Sequence, residues 1–165
     1  MELLEHTPRR ALAIVAHPDD IEYGAAAAVA MWTAAGADCR YLLASRGEAG
    51  IDGMDPEEAA RVREAEQIRS AGVVGVAVVE FLSHPDGTIH DVMALRNEFA
   101  LAIRRHTPDT VLLFNHRESW GPHARNSADH RTVGNAALDA IADAGNRWIF
   151  PGTEPHHVDV ALVAG

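Results

Sequence analysis

The chain has 165 residues, 47% of them hydrophobic and 23% charged, which suits one globular domain with a real core. Its 24 acidic and 14 basic residues give a formal net charge of −10, a balance that argues against nucleic acid or an anionic membrane surface as the main partner. The single cysteine, Cys39, excludes an intrachain disulfide. No apolar run is long enough to insert across a bilayer, and the opening MELLEHTPRR lacks the basic-then-apolar order of a secretory leader, so a cytoplasmic location is expected.

Residues 11–16, ALAIVA, are continuously apolar, as expected for a strand buried on both faces of a parallel sheet. The following EYGAAAAVAMWTAAG is apolar nearly all round and predicts one helix deep in the fold, stopped at Gly36. Residues 39–45 predict a second strand, followed by the glycine-rich loop RGEAGIDGM. Asp55-Pro56-Glu57-Glu58 then supplies a helix start, with a side-chain acceptor at the cap, proline at the first position and acids in the first turn. That helix is expected to run to Gly72.

A third strand is expected within VAVVEFL (76–82). Val92, Leu95, Phe99 and Ile103 mark one face of the next helix, which Thr107-Pro108 should end. TVLLF (110–114) predicts a fourth strand, NHRESWGPHARNS a polar loop, and Val133, Ala137 and Ile141 one side of a further helix. The closing VDVALVAG predicts a last strand. Four alternations of strand and helix with short connections predict an α/β fold: a Rossmann-like, doubly wound, mostly parallel sheet with helices on both faces.

In such sheets ligands bind beyond the carboxyl ends of the strands, and the polar clusters fall there. His17-Pro18-Asp19-Asp20 follows the first strand, Arg46-Gly47-Glu48 the second, His84-Pro85-Asp86-Gly87 the third, and 115–130 the fourth. Imidazole nitrogen and carboxylate oxygen both suit zinc, and a catalytic zinc needs three protein ligands and an open position. His17 and Asp20, three residues apart, can aim at a common point, and His130, opening the last helix, is placed to complete the set. Asp19, beside a ligand but pointing differently, can take a proton from an activated water. Taken alone, PDD reads equally well as a helix cap. Arg46 reads either as a substrate contact or as one half of a surface ion pair. RGEAG is not a phosphate loop, since its glycine spacing is wrong and no Lys-Ser/Thr follows.

AHPDD, SRGEAG, HPDG and DHR, in this order after successive strands, resemble the family named for N-acetylglucosaminyl-phosphatidylinositol de-N-acetylase, also called LmbE-like or PIG-L. The resemblance runs from about Ala11 to the closing VALVAG. It implies a Rossmann-like fold and a metal-dependent amide hydrolase that removes an N-acyl group, usually N-acetyl, from a small amino-sugar conjugate. It implies His17, Asp20 and His130 as ligands of a zinc ion, with Fe2+ as the alternative metal, and Asp19 as the general base. Arg46 and Asp86 fall where family members often contact substrate.

Members commonly carry HPDH at the last block. Here it is SADH, with Ser127 at the first position, where a serine also serves as a helix cap. Oxyanion stabilisation then falls to the metal and another donor, with His123 and Arg125 as candidates. Members also continue past the last strand, so residues 1–165 are expected to form one domain lacking that C-terminal segment. Many are homo-oligomers, which leaves that state open here. Two other readings are a metal-dependent phosphoesterase and a non-catalytic Rossmann-like binding module whose acids are only caps.

Overall fold

The first apolar run forms β1 (Arg10–Val15), the middle strand of the sheet in a computed structural model that describes residues 6–165. Residues 1–5, part of the opening stretch read above for a leader, lie outside the described residues. The chain continues through α1 (Asp20–Gly24), α2 (Ala26–Ala34), β2 (Asp38–Leu43), α3 (Pro56–Val73), β3 (Val78–Phe81) and α4 (Val92–His106). It then passes through β4 (Thr110–Phe114), a short antiparallel hairpin β5 (Ser119–Gly121) and β6 (Ala124–Arg125), α5 (Ala128–Gly145) and β7 (Val160–Ala164).

Five parallel strands lie in the order β3-β2-β1-β4-β7. The chain winds outward from β1 to β3, then returns to place β4 on the other side of β1. The strand order therefore reverses between β1 and β4, and the crevice beyond their carboxyl ends is where a doubly wound sheet receives ligands.

Alternate residues of the strands face opposite layers. Leu12, Ile14, Leu42, Val111 and Leu113 pack with Leu95, Phe99 and Ile103 of α4 and with Val133 and Ala137 of α5. Ala13, Val15, Tyr41 and Leu43 pack with Ile21, Val29, Trp32 and Ala71 on the other face. Helix starts follow local chemistry: Asp55 Oδ1 accepts from the N–H groups of Glu57 (3.0 Å) and Glu58 (3.4 Å), and Asp91 Oδ1 from that of Ala94 (3.0 Å). α4 ends at Thr107, whose φ of 46° is left-handed, immediately before Pro108.

Two local expectations are corrected. The expected single helix after β1 breaks at Ala25, whose backbone is not helical, into α1 and α2. Gly24 lies against β4, where a Cβ would come within 2.7 Å of Phe114 Cε2. Nor is the pair deep in the fold, since Met31 is 73% exposed and α2 buries only Val29 and Trp32. Its all-round apolar pattern comes from alanines, which are cheap to leave in water. The second correction is the β5–β6 hairpin, which lies inside the stretch read as a polar loop.

Candidate active site

Beyond β1 and β4 opens a cleft of about 750 Å3 whose walls include His17, Asp19, Asp20, Asp86, Ser127 and His130. The turn after β1 is tied by Asp20 itself. Its buried carboxylate Oδ2 accepts from the backbone N–H groups of Ala16 (3.0 Å) and His17 (2.9 Å). Asp20 Oδ1 faces His130 Nε2 at 3.0 Å, and His17 Nδ1 lies 3.7 Å from Oδ2. Burial alone would push the Asp20 carboxyl upward. Hydrogen bonds and charge from His130 and His17 outweigh it and hold the group at about 2.

Asp19 occupies the N-cap of α1 with a left-handed backbone (φ 84°) and makes no capping hydrogen bond, so a cap role does not explain it. Its conformation is held from α3. Gln67 Oε1 accepts from the Asp19 N–H (2.9 Å), and Arg63 Nη2 donates to Pro18 O (2.7 Å) and Asp19 Oδ2 (2.9 Å). Burial raises the Asp19 carboxyl above its ordinary value, with Arg63 pulling the other way. Gly47 and Gly50 make room for Arg63. A Cβ at Gly50 would overlap Arg63 Nη1, and one at Gly47 would lie 2.8 Å from Nε. The glycines of SRGEAG are thus accounted for by the passage of an arginine from α3.

Three residues that the sequence reading did not single out organise the donors. Asp129 is buried; its Oδ2 accepts from the Gly87 N–H (2.7 Å) and lies 3.0 Å from His17 Nε2, and its Oδ1 accepts from the Ile89 N–H (3.1 Å). Asp86 Oδ1 lies 3.2 Å from the same His17 nitrogen. The His17 ring is buried, which disfavours its charge, but Asp20, Asp129 and Asp86 outweigh that and raise it to about 9. Asn126 is the second residue, with its Oδ1 2.9 Å from His130 Nδ1. Arg63 is the third. Sequence position offered a signal only for Asn126 and Asp129, which lie in the same block as Ser127.

The remaining candidates divide. Ser127 caps α5, its Oγ accepting from the His130 N–H (3.0 Å), and it also lines the cleft. Asp86 lines it too, its Oδ2 accepting from the Ala49 N–H (2.9 Å). Arg46 turns to Glu64 of α3, the surface ion pair of its two readings, and is not among the cleft residues. His123, in the turn of the hairpin, is exposed and also outside that wall, while exposed Arg125 pairs with Glu118 at 3.4 Å.

Two trios could hold a cation: His17, Asp20 and His130, and His17, Asp86 and Asp129, each with donor atoms within 4.8 Å of one another. The donor chemistry favours the first. Both oxygens of Asp129 are already engaged by backbone N–H groups, whereas Asp20 Oδ1 is aimed at His130. His17 can donate from Nε2 to Asp129 and present Nδ1 to a metal, the arrangement in which a carboxylate orients a histidine ligand.

An open doubly wound α/β domain with a His/Asp-rich cleft at its switch point is therefore the class defined by fold and site. The chain belongs to the PIG-L, GlcNAc-PI de-N-acetylase, family, whose model matches residues 12–141. It is 31% identical over 157 residues to the diacetylchitobiose deacetylase of Thermococcus kodakarensis, which covers 91% of this chain and 57% of that protein. A 1D-myo-inositol 2-acetamido-2-deoxy-alpha-D-glucopyranoside deacetylase of Kineococcus radiotolerans is 39% identical over 87 residues, 49% of this chain and 24% of its own.

The N,N'-diacetylchitobiose deacetylase of Pyrococcus horikoshii superimposes with a TM-score of 0.84 at 23% identity, over 94% of this chain and 60% of that one, a likeness of fold. The chain thus spans little more than half the length of the first two deacetylases it matches over most of its own length. Among the described residues no helix is long and apolar enough to cross a membrane.

Proposed function

We propose that the protein is a metal-dependent N-deacetylase acting on an amino-sugar-containing small molecule, with His17, Asp20 and His130 holding zinc and Asp19 as general base. One observation carries it: two histidines and a carboxylate converge on one point of the switch-point cleft, while a neighbouring carboxylate that serves no cap lines the same cleft, held by Arg63. A divalent ion held there supplies Lewis acidity, lowering the pKa of a water and polarising an acyl oxygen. Asp20, anionic far below neutrality, supplies the charge of the donor set, and Asn126 and Asp129 orient the two imidazoles. Asp19 takes the proton of the attacking water and returns it to the departing amine. Arg63 keeps its carboxylate aimed into the cleft.

The relatives whose names specify acetylated amino sugars support the substrate class. Residues 1–165 are proposed to act as one domain, with Ser127 and Asp86 contacting substrate from the cleft wall. The test is metal content together with amine release from N-acetylglucosamine-containing compounds. Stoichiometric zinc with amine release is the expected result, and a protein that takes up no divalent metal overturns the reading.

A further inference from the structure

We propose that Trp120 is the stacking platform that makes the cleft prefer an acetamido group carried on a pyranoside ring over the same group on an open chain, an inference that rests on the amino-sugar reading above. Trp120 sits on β5, is 44% exposed, and lines the same cleft as the candidate metal ligands. Its ring centroid lies 5.1 Å from that of Phe114 in a tilted pair and 6.1 Å from that of His130, nearly edge-on at 82°. The indole is thus braced by Phe114 and stands across the imidazole rather than stacking on it. Phe114 also meets His130 edge-on at 5.1 Å. An indole left this open to water in a cleft wall leaves a large apolar area unburied, which an apolar ligand face would cover.

Position matters as much as exposure. Asn126 closes the hairpin base, donating from Nδ2 to Asn115 O (2.7 Å) and Arg117 O (3.0 Å), while its backbone N–H donates to Glu118 O (3.0 Å). Its Oδ1 meets His130. One carboxamide therefore sets both the hairpin that carries Trp120 and the ring that Trp120 overlooks. A pyranose offers an apolar face of axial C–H groups and an equatorial rim of hydroxyls. Trp120 suits the face, and the polar Asp19, Arg63 and Asp86 of the same cleft suit the rim. An acyclic acetamide has no such face and gains nothing from the platform.

The experiment compares wild type, Trp120→Ala and Trp120→Phe on a methyl glycoside of N-acetylglucosamine and on N-acetylethanolamine. Deacetylation kinetics are measured on the zinc-loaded protein, and glycoside binding on the metal-stripped protein by calorimetry. Trp120→Ala is expected to raise KM for the glycoside about tenfold with kcat nearly unchanged, and to weaken its binding by a similar factor. Trp120→Phe recovers part of the loss, and kinetics on N-acetylethanolamine stay within twofold. Equal losses on both probes, unchanged glycoside binding in Trp120→Ala, or no glycoside binding by wild type overturn the platform. A wild type that binds the glycoside but releases no amine overturns the deacetylase reading instead, and the binding comparison then decides Trp120 alone.

Discussion

Asn126 Oδ1 lies 2.9 Å from His130 Nδ1, and this contact makes Nδ1 a hydrogen-bond donor. Asn126 Nδ2 is committed to two backbone carbonyls, those of Asn115 and Arg117, so the oxygen must be the atom facing the ring. His130 therefore donates from Nδ1, which leaves Nε2, hydrogen-bonded to Asp20 Oδ1 at 3.0 Å in the metal-free protein, as the nitrogen that would lose its proton to bind a metal. Asn126→Ala is expected to lower zinc affinity ten- to a hundredfold, read by competition with a chromophoric chelator. Asn126→Asp keeps an acceptor for Nδ1 but loses both donors, so it should retain more affinity than alanine while melting earlier. An Asn126→Ala protein that binds zinc like wild type would remove Asn126 from the orienting role.

On the proposed ligand set, metal and proton compete for His17. In the metal-free protein its pKa is raised to about 9, so the stability it contributes is fully present below its ordinary 6.5 and is lost as pH rises through about 9. Asp20, held at about 2, contributes stability that is present above its ordinary 3.8 and lost as pH falls through about 2. Stripped protein should therefore lose several degrees of melting temperature between pH 6.5 and 9. Zinc requires the neutral ring and behaves oppositely, with its stabilising shift growing over the same range. Titration calorimetry at pH 7.5 in buffers of different ionisation enthalpy should show about one proton released per zinc bound. No proton release would mean that His17 is not among the ligands.

The strand ends that make the site were legible because each strand is a short apolar run followed by a polar cluster, and a parallel sheet sends all such ends to one rim. His17, Asp19, Asp20 and His130 could be placed on that rim from chain order. Arg63 could not, and although the 115–130 cluster put Asn126 and Asp129 on the same rim, their roles could not be read, because what marks all three is burial and partners. An arginine inside α3 looks like any solvated helical charge until two glycines of a distant loop leave space for it. Arg46 illustrates the reverse: it sits in the most suggestive loop, yet α3 offers it Glu64 before it reaches the cleft. The hairpin leaves no mark in the sequence, since SWG and AR are too short to show any alternation.

Asp19→Asn is the cleanest test of the proposed base. Asparagine tolerates a left-handed backbone about as well as aspartate, so φ 84° can be kept without added strain, whereas alanine would confound chemistry with a cost on the order of 1 kcal/mol. The variant also keeps an oxygen for Arg63 Nη2. Deacetylation should fall by about 10²–10⁴ with zinc content unchanged. Zinc-replete Asp19→Asn protein with wild-type turnover would transfer the proton step to another group.

Two helical glycines should respond to alanine in opposite ways. Gly72, in the last turn of α3, has no foreign atom within 4 Å of the place an alanine methyl would take, so Gly72→Ala should gain roughly 0.5–1 kcal/mol of helix propensity and raise the melting temperature by a few degrees. Gly134 lies under His116, just past β4, where a Cβ would overlap the His116 Cβ. That neighbour is anchored to the backbone and cannot swing away like the tip of a long side chain. Overpacking of this kind costs about 1–3 kcal/mol, more than the propensity gain. Gly134→Ala should therefore lower the melting temperature by several degrees. Because α5 also carries Asp129 and His130, zinc affinity should fall with it, while in Gly72→Ala it stays unchanged. Calorimetric melting of both variants, with and without zinc, separates the two effects, and a Gly134→Ala protein as stable as Gly72→Ala would show that α5 can shift away from His116.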